Sequence, residues 1–387
     1  MGTGMIYFDN AATTWPKPAA VRESAVTFFH RYGANPGRSG HQMSMDTAGQ
    51  VYRCREEAAQ LFDISDASRV IFTQNCTQGL NQILYGALSE GDHLLISDLE
   101  HNSVLRPAYR MAREGKIQMD IVKTVPGCDE ATVDAFEKAI RPNTRLILTT
   151  HCSNVFGFRL PIEQLAAMAH RHHVLMAVDA AQSAGTFPIR CDTDGYDYVA
   201  LPGHKGLYGP TGTGLLLIGK DAPALRPMIL GGTGSLSREP EQPDELPDLL
   251  ESGTLNTFGI LGLLAGIRFV RRTGLEQIAA QEEKLAGRLR DQLRIIPGVL
   301  LIGEKEAFAG AAPVVSFRID GQTGEETAQM LGQMGFALRG GLHCAPLAHR
   351  KMGTLETGTA RAGIGFYNTG EQVQALCRAV RKAAVQH

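Results

Sequence analysis

The sequence predicts an α/β protein: a large domain with a mostly parallel sheet covered by helices, then a smaller C-terminal α+β domain. Three observations predict it. Between residues 47 and 220, short apolar runs alternate with amphipathic stretches. At 387 residues the chain is too long for one simple core. A Gly-, Pro- and acid-rich stretch at 231–251 has no periodicity, and beyond it the pattern restarts with two long helical runs.

The alternation reads in order. Helices are expected at Thr47–Leu61, Gln78–Leu88, from Ser103, at Ala131–Ile140 and at Pro161–His172, where Pro suits the first helical turn. Strands are expected at Arg69–Thr73, His93–Ser97, Gln118–Lys123, Arg145–Thr150, Val174–Val178, Tyr198–Leu201 and Leu215–Ile218. Short apolar strands between amphipathic helices argue for a sheet buried on both faces. Residues 231–251 read as a long loop at a functional edge. Helices Thr257–Arg272 and Leu275–Ile295 follow. Then come strands at Val299–Ile302 and Pro313–Arg318, a helix at Glu325–Met334, a strand at Thr359–Ala362 and a helix from Gly370. The expected division is an N-terminal segment at 1–15 packing with the small domain, a large domain at 16–260 and the small domain at 261–387.

Composition narrows the classes. Hydrophobic residues are 43% and charged residues 20%, as in soluble globular proteins. A net charge of -2 gives no sign of a nucleic-acid or membrane partner. No segment approaches the roughly 18 apolar residues of a membrane span. The N-terminus lacks the basic and apolar regions of a secretory signal, so a cytoplasmic location is the default expectation. Seven cysteines, with no C-x-x-C pair, argue against a disulfide framework or a zinc knuckle. The pair His172-His173 reads as a helix end rather than a metal site.

The chemistry is suggested by strand ends. The strand at Val174–Val178 runs into Asp179, and that at Tyr198–Leu201 into Pro202-Gly203-His204-Lys205-Gly206. In open α/β sheets ligands bind at the carboxyl ends of strands. Pyridoxal 5′-phosphate (PLP) needs a lysine amine for its aldehyde and a buried carboxylate for its pyridine nitrogen. Lys205 and Asp179 fit. Asn75-Cys76-Thr77, between a strand and a helix, would offer backbone N–H groups to the phosphate. Taken singly, an Asp after a strand is more often a helix cap and a loop Lys is usually solvated. The joint pattern favours the cofactor. Gly209–Gly214 enters a strand instead of leaving one for a helix, which disfavours a nicotinamide site.

At Val178-Asp179-Ala180-Ala181-Gln182-Ser183 and Pro202-Gly203-His204-Lys205-Gly206-Leu207-Tyr208-Gly209-Pro210, the chain resembles the class V aminotransferase superfamily, in its cysteine desulfurase and selenocysteine lyase branch. Tyr7–Thr14, Asn35–His41, Glu100-His101-Asn102, Ser153–Gly157, Glu251–Thr254, Arg339–Pro346 and Gly358–Ala362 extend the resemblance in order over nearly the whole chain. The resemblance implies the PLP-dependent fold type I. It implies that His101 stacks on the cofactor as an acid–base group, that Gln182 bonds its phenolic oxygen, and that Asn154 lies near that oxygen and the substrate. Thr77, His204 and the Cys76 amide would hold the phosphate. Thr254 would reach the phosphate of the neighbouring subunit, in a homodimer with shared sites. Ala11, Asn154, Arg339 and Arg361 would surround the substrate, Arg361 clamping its carboxylate. Without the resemblance, His101 reads as a core or capping histidine and Cys344 as an inert loop cysteine.

Cys344 decides the expected reaction. Its place in the resemblance is that of the nucleophile which takes sulfur from L-cysteine as a persulfide, leaving alanine, and later hands it to an acceptor protein. The short interval from Cys344 to Arg361 resembles group II desulfurases. Selenocysteine lyase, acting on L-selenocysteine, is the nearest alternative, and another PLP-dependent lyase or transaminase of this fold the next. Two departures stand out. Pro202 replaces a serine that donates to the phosphate in many relatives, and Gly206 is an extra residue after the lysine.

Overall fold

A computed structural model describes residues 4–37, 40–303 and 310–385, so Arg38 and Ser39 of the Asn35–His41 motif lie outside the described residues. In chain order the elements of the first half are β1 (Ile6–Tyr7), α1 (Ala19–Arg31), α2 (Gln42–Leu61), β2 (Val70–Thr73), α3 (Cys76–Ala87), β3 (His93–Ser97), α4 (Asn102–Arg113), β4 (Gln118–Val122), α5 (Asp129–Ala139), β5 (Thr144–Thr150), α6 (Ile162–Arg171), β6 (Leu175–Asp179), α7 (Cys191–Asp194), β7 (Tyr198–Pro202) and β8 (Gly214–Ile218). There follow α8 (Thr257–Thr273), α9 (Leu275–Arg294), β9 (Val299–Leu301), β10 (Val314–Ile319), α10 (Gly324–Gln333), β11 (Phe336–Ala337), β12 (Arg339–Gly341), α11 (Pro346–Lys351), β13 (Thr359–Gly363) and α12 (Gly370–Val385).

The main sheet has seven strands in the order β2-β8-β7-β6-β5-β3-β4. Only β8 runs against its neighbours. Successive side chains point to opposite faces of a strand. Accordingly Leu95, Ile147, Met176, Val178 and Val199 join one apolar cluster, and Leu94, Ile96, Leu146, Leu148, Ala177 and Ala200 join another. This is the α/β architecture that near-continuous apolar strands require.

A four-stranded antiparallel sheet, β12-β13-β10-β9, carries a third cluster with α9, α10 and α12. The N-terminal segment is stitched to this part. β1 pairs in parallel with β11, Asp9 bridges Gly363, and Phe8 is fully buried in the same cluster. Helix α8 packs its Leu263, Leu264, Ile267 and Val270 into the first cluster. A fourth, small cluster joins Val155, Phe156 and Phe158 to Ala345 and Ala348, locking the loop after β5 against the start of α11.

Some elements differ from expectation. Helix α1 was not foreseen; Val21 is its only buried residue, so no apolar stripe marks it. Helix α3 starts at Cys76 because Asn75 caps it, its Oδ1 accepting from the Gln78 N–H at 2.9 Å. No helix or strand forms at 231–251, as expected. The end of that excursion is pinned: Glu251 pairs with Arg55 at 2.7 Å, both buried, and accepts from the Phe72 N–H of β2. His172 caps the end of α6 and bonds Glu137, the helix-end role expected for it. Among the described residues, no helix is long and apolar enough to cross a membrane.

Candidate active site

Strands β2, β3, β5, β6 and β7 are parallel, so their carboxyl ends share one edge. Asp179 ends β6, and Lys205 follows β7 by three residues. Asp179 is 2% exposed. Its Oδ1 accepts from the Ala181 N–H (2.9 Å) and from the Cys76 thiol (3.5 Å). Its Oδ2 takes no hydrogen bond among the described residues. Burial raises the Asp179 carboxyl and lowers the Lys205 amine, and each opposes the other's shift through their mutual attraction. The two predicted residues are therefore brought together. The added Gly206 is accommodated by backbone contact: a Cβ there would lie 2.2 Å from the Ala184 carbonyl oxygen.

The start of α3 lies beside this pair. The amides of Cys76 and Thr77 have no partner among the described residues, as the first donors of a helix usually lack one. The Thr77 side chain is exposed. His204 has a buried Nδ1 with no partner among the described residues. Burial first, then Lys205 and Lys17, push its imidazole down to about 4. The His204 carbonyl accepts from Lys17 Nζ (2.6 Å), Thr13 Oγ1 (3.0 Å) and Thr14. The N-terminal segment thus fixes the loop that carries the lysine. Pro202 ends β7 opposite Gly214 and has no N–H to give.

His101 caps α4. Its Nδ1 accepts from the Ser103 N–H at 3.0 Å, which leaves Nε2 to carry the proton of the neutral ring. Burial, followed by Lys205, Arg339, Arg361 and Arg106, pushes His101 down to about 4. Gln182 donates to the Ala11 carbonyl at 3.0 Å. Both line a small cavity with Lys205, Asn10 and the buried Glu282.

The opposite wall comes from the small sheet. Arg361, in β13, is 1% exposed. It donates to Asp9 Oδ1 (3.0 Å) and the Asn154 carbonyl (2.8 Å), while its buried Nε has no partner among the described residues. Asn154 Nδ2 in turn donates to the His343 carbonyl at 2.7 Å. Cys344 is exposed, and Arg339 Nη2 lies 3.7 Å from its Sγ. Its carbonyl accepts from the Asn102 N–H at 2.7 Å. His343 and Cys344 both have left-handed backbones, with φ of 49° and 58°. For residues other than Gly this costs about 1–3 kcal/mol each and persists only where surroundings enforce it. Thr254 stands apart from this wall. It is exposed in the loop before α8, in a groove shared with Gln74 and Gln78.

Residues 6–376 match the family model for class V aminotransferases. The chain belongs to the class V aminotransferase family. Among its relatives, a probable cysteine desulfurase of Methanothermobacter thermautotrophicus is 32% identical over 387 residues, covering 98% of this chain and 94% of that protein. One of Xylella fastidiosa is 33% identical, covering 98% and 91%. The apo structure of a cysteine desulfurase from Thermococcus onnurineus superposes with a TM-score of 0.90 at 30% identity, covering 99% and 95%. A cysteine desulfurase structure from Escherichia coli gives 0.86 at 28%, covering 99% and 95%.

The class V family is PLP-dependent, the fold is its fold type I, and PLP is the cofactor of this member. The residues fit it. Among the described residues, Asp179 keeps an unbonded carboxylate oxygen, the first amides of α3 are unpaired, and His204 Nδ1 is an orphaned buried atom. Sequence reasoning about this class V chain missed Asp9, which holds Arg361, as well as Thr13, Thr14 and Lys17. All lie in or just after the Tyr7–Thr14 motif, which was the available signal. It also missed the Cys76 thiol on Asp179, a contact that no spacing reveals.

Proposed function

We propose that this protein is a cysteine desulfurase that converts L-cysteine to L-alanine and takes the sulfur onto Cys344. The observation that carries the reading is Cys344 itself. It is an exposed thiol beside Arg339, on a strained turn bonded to the helix of His101 and to Asn154. A thiol in an exposed, electropositive setting is suited to act as a nucleophile. When bound, PLP supplies an electron sink that acidifies the substrate Cα–H and loosens its Cβ–S bond.

The chain's residues do the rest. Arg361, held by Asp9, binds the substrate carboxylate with a preorganised guanidinium. Lys205, its amine made less basic by burial, is suited to hold the cofactor and to move the Cα proton. Asp179 would set a carboxylate at the pyridine nitrogen, and Thr77, His204 and the Cys76 amide would hold the phosphate. Neutral His101, with its proton on Nε2, would stack on the cofactor ring and could donate a proton there. Gln182 and Asn154 would orient the phenolic oxygen, with Ala11 and Arg339 completing the substrate pocket. Cys344 Sγ attacks the substrate sulfur. The S–S bond forms as Cβ–S breaks, the electron pair stays on the carbon fragment, and protonation releases alanine. A thiol reductant or acceptor then collects the sulfur.

A homodimer follows from the same reading, with Thr254 serving the partner's phosphate. Large apolar side chains without cover support it: Val26 and Phe29 of α1, Met43, Met45 and Tyr52 of α2, and Phe258 of α8. All seven cysteines are unpaired, which fits a reducing, cytoplasmic setting. The test is product analysis on the holoenzyme with L-cysteine and excess reductant. Alanine and sulfide in equal amounts are expected. Pyruvate in place of alanine, or turnover confined to selenocysteine, would overturn the reading.

A further inference from the structure

We propose that the sulfur acceptor of Cys344 is a protein that docks through an acidic surface onto the basic face of α4. The proposal rests on Cys344 being the sulfur carrier, and goes beyond it by giving the partner's chemistry.

Helix α4 begins at the nucleophile, where its Asn102 N–H is bonded to the Cys344 carbonyl. Ser103, Val104, Ala108 and Met111 are its buried residues. Arg106, Tyr109, Arg110 and Arg113 are exposed, and spacings of three and four residues put them on one stripe. The stripe runs about 10 Å from Arg106 to Arg113, in a helix about 16 Å long, and exposed Lys116 follows just beyond its end.

The stripe is not self-neutralised. Glu114 is the one carboxylate within residues 102–116, and it is shared by Arg110 and Lys116. Arg106 and Arg113 have no ion pair among the described residues. Near Cys344 in the chain, exposed Arg339 and Arg350 have none among the described residues either. Arg339 lies 3.7 Å from Cys344 Sγ and α4 starts at the Cys344 carbonyl, so a protein that covers Cys344 and lies along α4 meets these cations, which favour an acidic surface.

A protein partner is favoured over a nucleic acid. The chain as a whole is slightly acidic, with a net charge of -2, and the basic surface is one helix face with a single exposed aromatic. Nucleic-acid binders carry broader basic fields and usually a basic domain. The face is also separate from the uncovered apolar surface of α1, α2 and α8. Helix α4 leads into β4 at one end of the main sheet, whereas α2 leads to β2 at the other.

The test uses the holoenzyme charged with L-cysteine, its Cys344 persulfide measured first by mass. Transfer is then timed to two synthetic cysteine peptides, one flanked by Asp and Glu and one by Lys, with each rate divided by that for dithiothreitol. The acidic peptide is expected to react about tenfold faster at low salt, the preference collapsing near 0.5 M salt as screening shortens the field's reach. The double variant Arg106→Glu/Arg113→Glu should erase or invert the preference. Because the peptide charge is varied independently, the test does not hang on that variant folding. Equal or salt-independent rates overturn the proposal, as does tighter binding of single-stranded RNA than of the acidic peptide. Absence of the persulfide removes Cys344 as carrier, and the proposal with it. Its presence with equal peptide rates refutes the docking surface alone.

Discussion

The Asn102 N–H donates to the Cys344 carbonyl at 2.7 Å, so the residue after the capping histidine of α4 holds the candidate nucleophile directly. One residue earlier, the His343 carbonyl accepts from Asn154 Nδ2. Two consecutive left-handed residues are thereby clamped between α4 and the loop after β5. The bonds offset strain that an unrestrained loop would relax.

Asn154→Ala should loosen that clamp. We expect kcat/KM for L-cysteine to fall about 10- to 100-fold, in keeping with misplacement of a reacting group. Thermal stability should change little. Steady-state kinetics alongside a melting curve checks both.

Asp9→Ala should leave the Arg361 guanidinium charged, buried and missing one partner. Breaking a fully buried pair costs about 3–5 kcal/mol, and because Asp9 is partly exposed the loss here should lie at or below the low end of that range. Denaturant titration reads the loss. In a variant that still folds, KM for cysteine should rise because Arg361 is no longer held. Arg361→Lys keeps the charge but not the planar fork, and should also raise KM.

Glu100 offers a pH test. It is fully buried, its Oε1 accepts from Ser97 Oγ (2.5 Å) and the Thr150 N–H (2.9 Å), and burial pushes its carboxyl up to about 8. The folded-state value lies above the ordinary 4.5. Its neutral form therefore favours folding fully below that value, and the contribution is lost as pH rises through about 8. Glu100→Gln cannot ionise. Its stability relative to the parent should improve by a few kcal/mol from pH 5 to pH 8, since one pKa unit corresponds to about 1.4 kcal/mol. Urea midpoints at the two pH values decide it; a constant difference would contradict the assignment.

Arg339 should be felt at the Cys344 thiol as a local cation. Arg339→Gln is expected to slow alkylation by anionic iodoacetate several-fold more than by neutral iodoacetamide. Quench-flow alkylation of the two proteins measures the ratio.

Much of the large sheet was legible because buried parallel strands write themselves as short apolar runs, and Asp179 and Lys205 stand directly after two of them. Helix α1 was not legible, since its Val26 and Phe29 are exposed and do not form an inward stripe. The paired two-residue strands β1 and β11 need tertiary contact to exist at all. The same holds within the site. Asp9 and Arg361 are 352 positions apart, and nothing in either local sequence announces the pair. Cys344 could be singled out by resemblance, but its strained turn, its bond to Asn102 and its nearness to Arg339 required the folded chain.

The most direct test of the central claim compares alanine release from L-cysteine, with excess reductant, by the native holoenzyme and by Cys344→Ala. Cys344 is exposed and, among the described residues, its Sγ is hydrogen-bonded by Arg339 alone, so the variant should fold and bind PLP. Alanine from the native protein with turnover lost in Cys344→Ala is the predicted result. Equal alanine from both proteins would contradict it, because the sulfur would then leave without passing through Cys344.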